Sequence, residues 1–243
     1  MLMPDQTSNS LHVRVVQALG SRIVDGSLKP GDIVASDGAV AQSFGASRTA
    51  MREAVRVLTA KGLLESRPRV GTRVRSWENW NVLDPDVLAW KHAVGAPGWK
   101  RDLIEMRRMI EPHAAALAAE RSDEVMLGRL RALLDRMEQS TRGHATEDGV
   151  EADIGFHSAI LAATGNQMIS SLRYAVSAAL RVSLSYTRED LLLAALPAHR
   201  RVLKAITSRR PAAARRAMEA LIDLADHDLR VQSSPDGSAL DRR

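Results

Sequence analysis

Two groups of side chains in this chain have the types and spacing to do chemistry. In the second half, Asp153 and His157 stand four residues apart, which on a helix puts them side by side on one face, and a later segment offers His199. A carboxylate and two imidazoles brought together inside a helical bundle make a site for a divalent ion of the zinc, nickel or manganese type. An isolated Asp-x-x-x-His pair has a plainer reading, in which the two simply hydrogen-bond each other on a helix surface. In the first third, Ser47, Arg48, Thr49 and Arg52 open a helical run, and Arg48 and Arg52 again share a face. A guanidinium fork can pair with two acceptors of a guanine or clamp a phosphate, and the hydroxyls and unpaired N–H groups of a helix start suit a phosphate. The plainer alternative is a surface pair with Glu53. Past this run, Arg67, Arg69 and Arg73 surround Gly71 and Thr72, a basic turn whose glycine permits close backbone approach.

Constellations for catalysis are missing. The chain has no H-E-x-x-H, no G-x-S-x-G and no phosphate-cradling glycine loop. The paired glutamates and Glu-x-x-His repeats of a di-metal bundle are absent too. It contains no cysteine, which excludes disulfides, thiolate metal sites and a cysteine nucleophile.

The elements that must position these residues follow from composition and periodicity. Of 243 residues 45% are hydrophobic and only 3% aromatic, so the cores must be aliphatic, and the abundance of alanine and leucine favours helix. The net charge of +5 sits on one part of the chain: residues 1–75 hold 11 Lys/Arg against 6 Asp/Glu, while the remainder holds 23 of each. A basic module followed by a neutral one is the layout of a nucleic-acid reader with a regulatory body. No stretch approaches the roughly 20 apolar residues that span a bilayer, and the start lacks a signal peptide's basic and apolar regions. The expectation is a soluble, cytoplasmic protein.

Residues 1–9 read as a flexible arm. Ser10 is placed as the cap of a helix to about Gly26, with Leu11, Val15, Ala18, Leu19 and Ile23 on one side. Lys29-Pro30-Gly31 is a turn and 32–35 a short edge strand. A helix over 37–44 ends at Gly45, and Ser47 caps the next, which runs to Lys61 and stops at Gly62. Residues 63–65 and 72–74 are two strands around the basic turn. Residues 76–85 are expected to be a linker. From Asp86 helices are placed at 86–94, 100–121, 123–142, 147–164, 167–187, 189–208 and 211–231, punctuated by Pro97-Gly98, Gly143, Gly165-Asn166 and Pro211, with a disordered tail at 233–243. The fold class is therefore mainly α: a winged helix-turn-helix over 10–75 and an all-α bundle over 86–232.

The KPG turn, SRTAMREAVRVLTAKGLLE and the terminal RVGTRV make residues 11–75 resemble the winged helix of the GntR family of bacterial transcription regulators. Glu105-x-Arg107-x-x-x-Glu111, DIGFH at 153–157 and HRRVLKAI at 199–206 resemble the helical effector domain, FCD, of that family's FadR branch. WNVLDPDVLAW (80–90) resembles the start of that domain in sugar-acid-responsive members of the galactonate-repressor type. The resemblance implies DNA contact by Ser47, Arg48, Thr49 and Arg52, and by a wing carrying Arg67, Arg69, Gly71 and Thr72. It also implies a divalent metal on Asp153, His157 and His199. Arg107 matches the family arginine that faces the effector cavity, with an intrahelical pair to Glu111 as its alternative; Arg181 and His227 are further candidates for effector contact. Two departures stand out. Ser36-Asp37-Gly38 replaces the Ser-Glu-Arg of better-known members, removing one arginine from the DNA-reading set. Leu221 occupies the place of the usual third histidine ligand, and His227, six residues on, falls roughly 240° further around the helix.

The residues and the resemblance together point to a dimeric regulator of double-stranded operator DNA, and the resemblance alone implies repression relieved by a small carboxylate, a sugar acid, at a metal-containing site. Two other readings use the same residues: a metal-dependent enzyme acting on a small acid, and a DNA-binding protein whose helical body only dimerises.

Overall fold

The computed structural model describes residues 6–34, 45–67, 70–95, 98–141, 147–184 and 189–233. The chain divides into two compact units, Met1–Ala96 and Pro97–Arg243.

The first unit contains helix α1 (Gln6–Val24), strand β1 (Ile33–Val34), helix α2 (Arg48–Ala60), strands β2 (Leu64–Arg67) and β3 (Gly71–Val74), a 3-10 turn at Trp77–Asn79 and helix α3 (Pro85–Ala93). The strands form one antiparallel sheet in the order β1-β3-β2, with Ile33 opposite Arg73 and Glu65 opposite Arg73 on the other side. Val15, Leu19 and Ile23 of α1 recur at four-residue spacing and meet Met51, Ala54 and Leu58 of α2 and Val34, Leu64 and Val74 of the sheet in a single core. Ser47 caps α2 as expected, its Oγ accepting from Ala50 N at 3.2 Å. Ser10 does not cap α1: the helix starts four residues earlier, at Gln6. The helix expected at 37–44, Gly38 and Arg69 lie outside the described residues.

Residues 76–85 are built into this unit. Gly62 has φ +79°, and a side chain there would strike the carbonyl of Asn79. Asn81 N donates to Lys61 O at 2.9 Å, and Trp80 Nε1 donates to Arg75 O at 3.0 Å. Lys61, at the end of α2, binds Asp84 and Asp86 at 2.8 Å each, and Asp84 in turn caps α3 by accepting from Asp86 N and Val87 N. Val87 and Trp90 of α3 join the first core. The Trp90 indole lies where a side chain on Gly20 of α1 would be, and its Nε1 donates to Gln17 Oε1 at 2.6 Å. The break between units thus falls at 96/97, and 86–95 packs with the winged helix instead of opening the helical body.

The second unit is all-helical: α4 (Trp99–Arg121), α5 (Glu124–Thr141), α6 (Glu147–Ala163), α7 (Gln167–Ser171), α8 (Arg173–Leu184), α9 (Glu189–Thr207) and α10 (Pro211–Ser233). The single helix expected at 167–187 is broken at Leu172. Asn166 caps α7, its Oδ1 accepting from Met168 N and Ile169 N, and Pro211 sits in the first turn of α10, where its missing N–H costs nothing. Helix α4 packs on α6, α8, α9 and α10, and α6 also packs on α5 and α8. Accordingly α6 is apolar nearly all round, with Ile154, Phe156, Ala159, Ile160 and Leu161 buried. Asp153 and His157 are buried on this same helix. Prolines interrupt α4 at Pro112 and α9 at Pro197, beside Glu111 and close to His199. Each removes one helical hydrogen bond next to those polar side chains.

Candidate metal site and candidate DNA interface

Asp153, His157 and His199 come together: each offers a ligand atom, and these atoms lie within 4.8 Å of one another. All three are almost fully buried. Helix α6 supplies the first two from adjacent turns and α9 supplies the third. Phe156 sets its ring edge-on to both imidazoles, 6.0 Å from His157 and 5.4 Å from His199, and the two imidazole rings are 5.6 Å apart. The floor of the cluster is therefore apolar.

The hydrogen bonds of the imidazoles fix which nitrogen is available. His157 Nδ1 meets the Glu111 carboxylate, and His199 Nδ1 meets the Ala195 carbonyl at 3.0 Å. Both partners accept only, so each Nδ1 carries a proton and each Nε2 is the nitrogen left for an ion. Burial pushes the Asp153 carboxyl up, but His199 above all, then His157 and Arg107, hold it down at about 2. It is therefore an anion. His199 Nε2 lies 2.7 Å from Asp153 Oδ1 yet finds no hydrogen-bond partner. The separation is right for a hydrogen bond and the direction is wrong. Two lone pairs at this range repel, so a cation belongs between them: a proton on Nε2 in the metal-free protein, or a metal ion in its place. The donor set fits a divalent ion: two neutral imidazole nitrogens and one carboxylate, with their outward hydrogen bonds in place.

In the sequence Glu111 stands only as the intrahelical alternative partner of Arg107. The structure puts it between two groups. One oxygen takes Arg107 Nε at 2.5 Å, and the other takes His157 Nδ1. Burial raises the Glu111 carboxyl, and Arg107 followed by His157 lowers it to about 2. Arg107 is itself buried, and its Nη1 has no hydrogen-bond partner. A signal for Glu111 did exist in the sequence: a carboxylate set among Ile110, Pro112, Ala114 and Ala115, in register with buried Ile104 and Ala118, had to be paired inside the core.

The remaining candidates part company. Arg181 is half-exposed on α8 and forms a two-pronged pair with Glu151 at 2.7 and 3.2 Å, so it is not brought to the cluster. Leu221 is buried in the main apolar core of the unit. His227 lies on α10, and its side chain falls outside the described residues.

In the first unit, Ser47, Arg48, Thr49 and Arg52 are all exposed at the N-terminal end of α2, while Ala50, Met51 and Ala54 are buried beneath them. Neither arginine pairs with Glu53, whose nearest cation is Arg56 at 3.9 Å. Arg67 is exposed and paired with Glu65 at 2.9 Å. Gly71 adopts φ +93°, a conformation that favours glycine. Thr72 departs from expectation. Alternation along β3 turns it inward with Val74, and its hydroxyl meets Ser66 Oγ at 3.1 Å, so its side chain is not presented outward. Between α2 and the sheet runs a groove of about 380 Å³, lined by Arg52, Arg56 and Thr59 on the helix side and by Ser66 and Thr72 on the sheet side.

A winged helix followed by a helical domain built round a buried acid–histidine–histidine cluster defines a DNA-binding regulator with a sensing domain. Residues 11–74 match the bacterial regulatory proteins of the gntR family, and residues 102–224 match the FCD domain. The chain belongs to the GntR family of bacterial transcription regulators, with an FCD domain as its effector-binding half. It is 30% identical over 217 residues to the uncharacterized HTH-type transcriptional regulator YieP of Escherichia coli K12, covering 86% of this chain and 90% of that one. It is 32% identical over 175 residues to the galactonate operon transcriptional repressor of the same organism, covering 72% and 76%. Among solved structures, Lar, which controls expression of the Listeria monocytogenes agr system, shares the fold with a TM-score of 0.62 at 17% identity, over 95% of this chain and all of that one. These relatives are transcription regulators and not enzymes. None of the described helices is long and apolar enough to cross a membrane.

Proposed function

We propose that this regulator is a cytoplasmic, dimeric repressor released from its operator by a sugar acid bound at a divalent metal held by Asp153, His157 and His199. One observation carries the reading: Asp153, His157 and His199 are buried together with their ligand atoms within 4.8 Å of one another, a carboxylate and two imidazoles converging on one point. The ion would supply open coordination positions to a ligand's oxygens, because with Leu221 at the family's third-histidine place three ligands stand together among the described residues. Glu111 holds the His157 ring in its ligating tautomer. Arg107, with its Nη1 unpaired, offers a buried cation to the ligand's carboxylate. The likeness to a galactonate operon repressor favours a sugar acid as effector and repression as the sign.

On the DNA side, exposed Arg48 and Arg52 would read bases in the major groove while Ser47 and Thr49 hold a phosphate, with Arg67, Arg69 and the Gly71 backbone serving as the wing. Two copies related by a two-fold axis would place two α2 helices on half-sites about one helical turn, roughly 34 Å, apart. Footprinting on the DNA upstream of its own gene, with and without a panel of sugar acids, tests this. The expected result is a near-palindromic protected site lost on adding one acid. Protection that no sugar acid alters would remove the effector reading, and no protected site at moderate salt would remove operator binding.

A further inference from the structure

The buried groups of the second unit carry a charge count that bears on which acids the site can take. Among the described residues Arg107 is the one lysine or arginine that is buried. Against it stand two buried carboxylates: Glu111, paired with Arg107 Nε at 2.5 Å and accepting from His157 Nδ1, and Asp153, which ligates an ion as its carboxylate. His157 and His199 are neutral when their Nε2 atoms ligate an ion. Arg107, Glu111 and Asp153 therefore sum to one negative charge, and a divalent ion turns this into one positive charge. A single carboxylate cancels it. A second carboxylate would leave an uncompensated anion in a site walled by the Phe156 ring, where isolated buried charge is costly. Hydrogen bonding gives the same count. Arg107 Nη1 is buried with no partner, and it can meet a single carboxylate.

We propose that the site selects monoanionic acids, carrying one carboxylate with a neighbouring hydroxyl or keto oxygen to complete the metal's coordination, and rejects diacids of the same carbon chain, with Glu111 setting the count. This rests on the reading of the cluster as a metal-dependent effector site and adds the ligand's charge to it. Glu111 touches neither the ion nor the ligand in this arrangement. It acts as a positioning residue for His157 and as the charge that offsets Arg107.

The test uses matched pairs differing by one carboxylate: gluconate and glucarate, galactonate and galactarate, lactate and malate. Binding to the full chain, loaded with zinc or manganese, is measured by calorimetry and thermal shift. In any pair that binds, the monoacid is expected to bind at least about tenfold tighter than the diacid, since selectivity is a difference of affinities set partly by unpaired charge. In Glu111→Gln at saturating metal, which adds one positive charge to the count, the ratio moves toward the diacid by about tenfold or more. A change confined to positioning His157 would weaken both acids alike. A wild-type preference for the diacid, or equal affinity, overturns the proposal. So does a ratio that Glu111→Gln leaves unmoved. If no acid binds the metal-loaded protein, the effector-site reading itself fails and the selectivity falls with it. Should the variant not fold, the wild-type pairs decide alone.

Discussion

Replacing Trp90 with alanine should cripple the DNA-binding unit and leave the sensing unit alone. Trp90 is 3% exposed, lies on the bare backbone of Gly20 and anchors α3 to α1 through Gln17. Truncating a buried tryptophan to alanine costs about 3–5 kcal/mol. Gln17 is exposed and regains its hydrogen bond from water, so that contact adds little. A unit the length of Met1–Ala96 has a total stability of about 5–14 kcal/mol at the usual value per residue. The substitution therefore removes about a fifth of it at the least, and at about 4–8 °C per kcal/mol the unit's melting point drops by about 12–40 °C. Differential scanning calorimetry of the full chain reads this, with the first unit's transition identified as the one that operator DNA raises. Operator affinity should fall steeply on warming while metal content and acid binding stay at wild-type levels. If the transition that metal raises were the one to move, with the DNA-linked transition unchanged, α3 would belong to the sensing unit and the placement of the boundary at 96/97 would be refuted.

Other consequences are as concrete. Glu111→Gln should weaken metal binding about 10–100-fold in competition with a chromogenic chelator, the usual effect of losing an outer partner of a ligating histidine; unchanged affinity would mean that the Glu111–His157 contact does not support ligation. Arg48→Ala should cost about 1–3 kcal/mol of operator affinity and relax the preference at one base pair, whereas Arg67→Ala should weaken all sequences alike and reduce the salt slope by about one. Anisotropy across a salt series separates the two, and identical behaviour of both variants would contradict the division of roles. In the metal-free protein, the Asp153 and Glu111 carboxyls are held at about 2 from ordinary values of 3.8 and 4.5, burial opposing and their cationic neighbours prevailing. Their contribution is then full above about pH 5 and lost as pH falls through about 2. Acid unfolding followed by circular dichroism should steepen in that window and flatten in Asp153→Asn.

Local signals carried most of the helical architecture. Ser47, Asn166, Gly62 and Pro211 mark helix ends through the geometry of caps and turns, and those ends fall where expected. What escaped depends on contacts distant in sequence. The run from Trp80 to Trp90 mixes apolar and acidic residues, and periodicity cannot say which of two cores receives it; the answer lies 73 residues away, in the partnership of Trp90 with Gln17. Glu111 meets His157 across 46 residues, and only the crossing of α4 and α6 reveals that one carboxylate serves both an arginine and an imidazole. Arg181 was eligible by type and excluded by its place on α8, where Glu151 was in reach. Thr72 was eligible by its place in the basic turn and is turned inward by strand alternation, a matter of one residue in register.

In the proposed function the Asp153–His157–His199 cluster governs operator binding through a metal and an acid together. The most direct test is one anisotropy titration of fluorescent operator DNA with purified protein, run metal-loaded and chelated, with and without the acid that footprinting identifies, for wild type and Asp153→Ala. The acid should release DNA from metal-loaded wild type and release nothing from chelated wild type or from Asp153→Ala. Equal release from all three would contradict it.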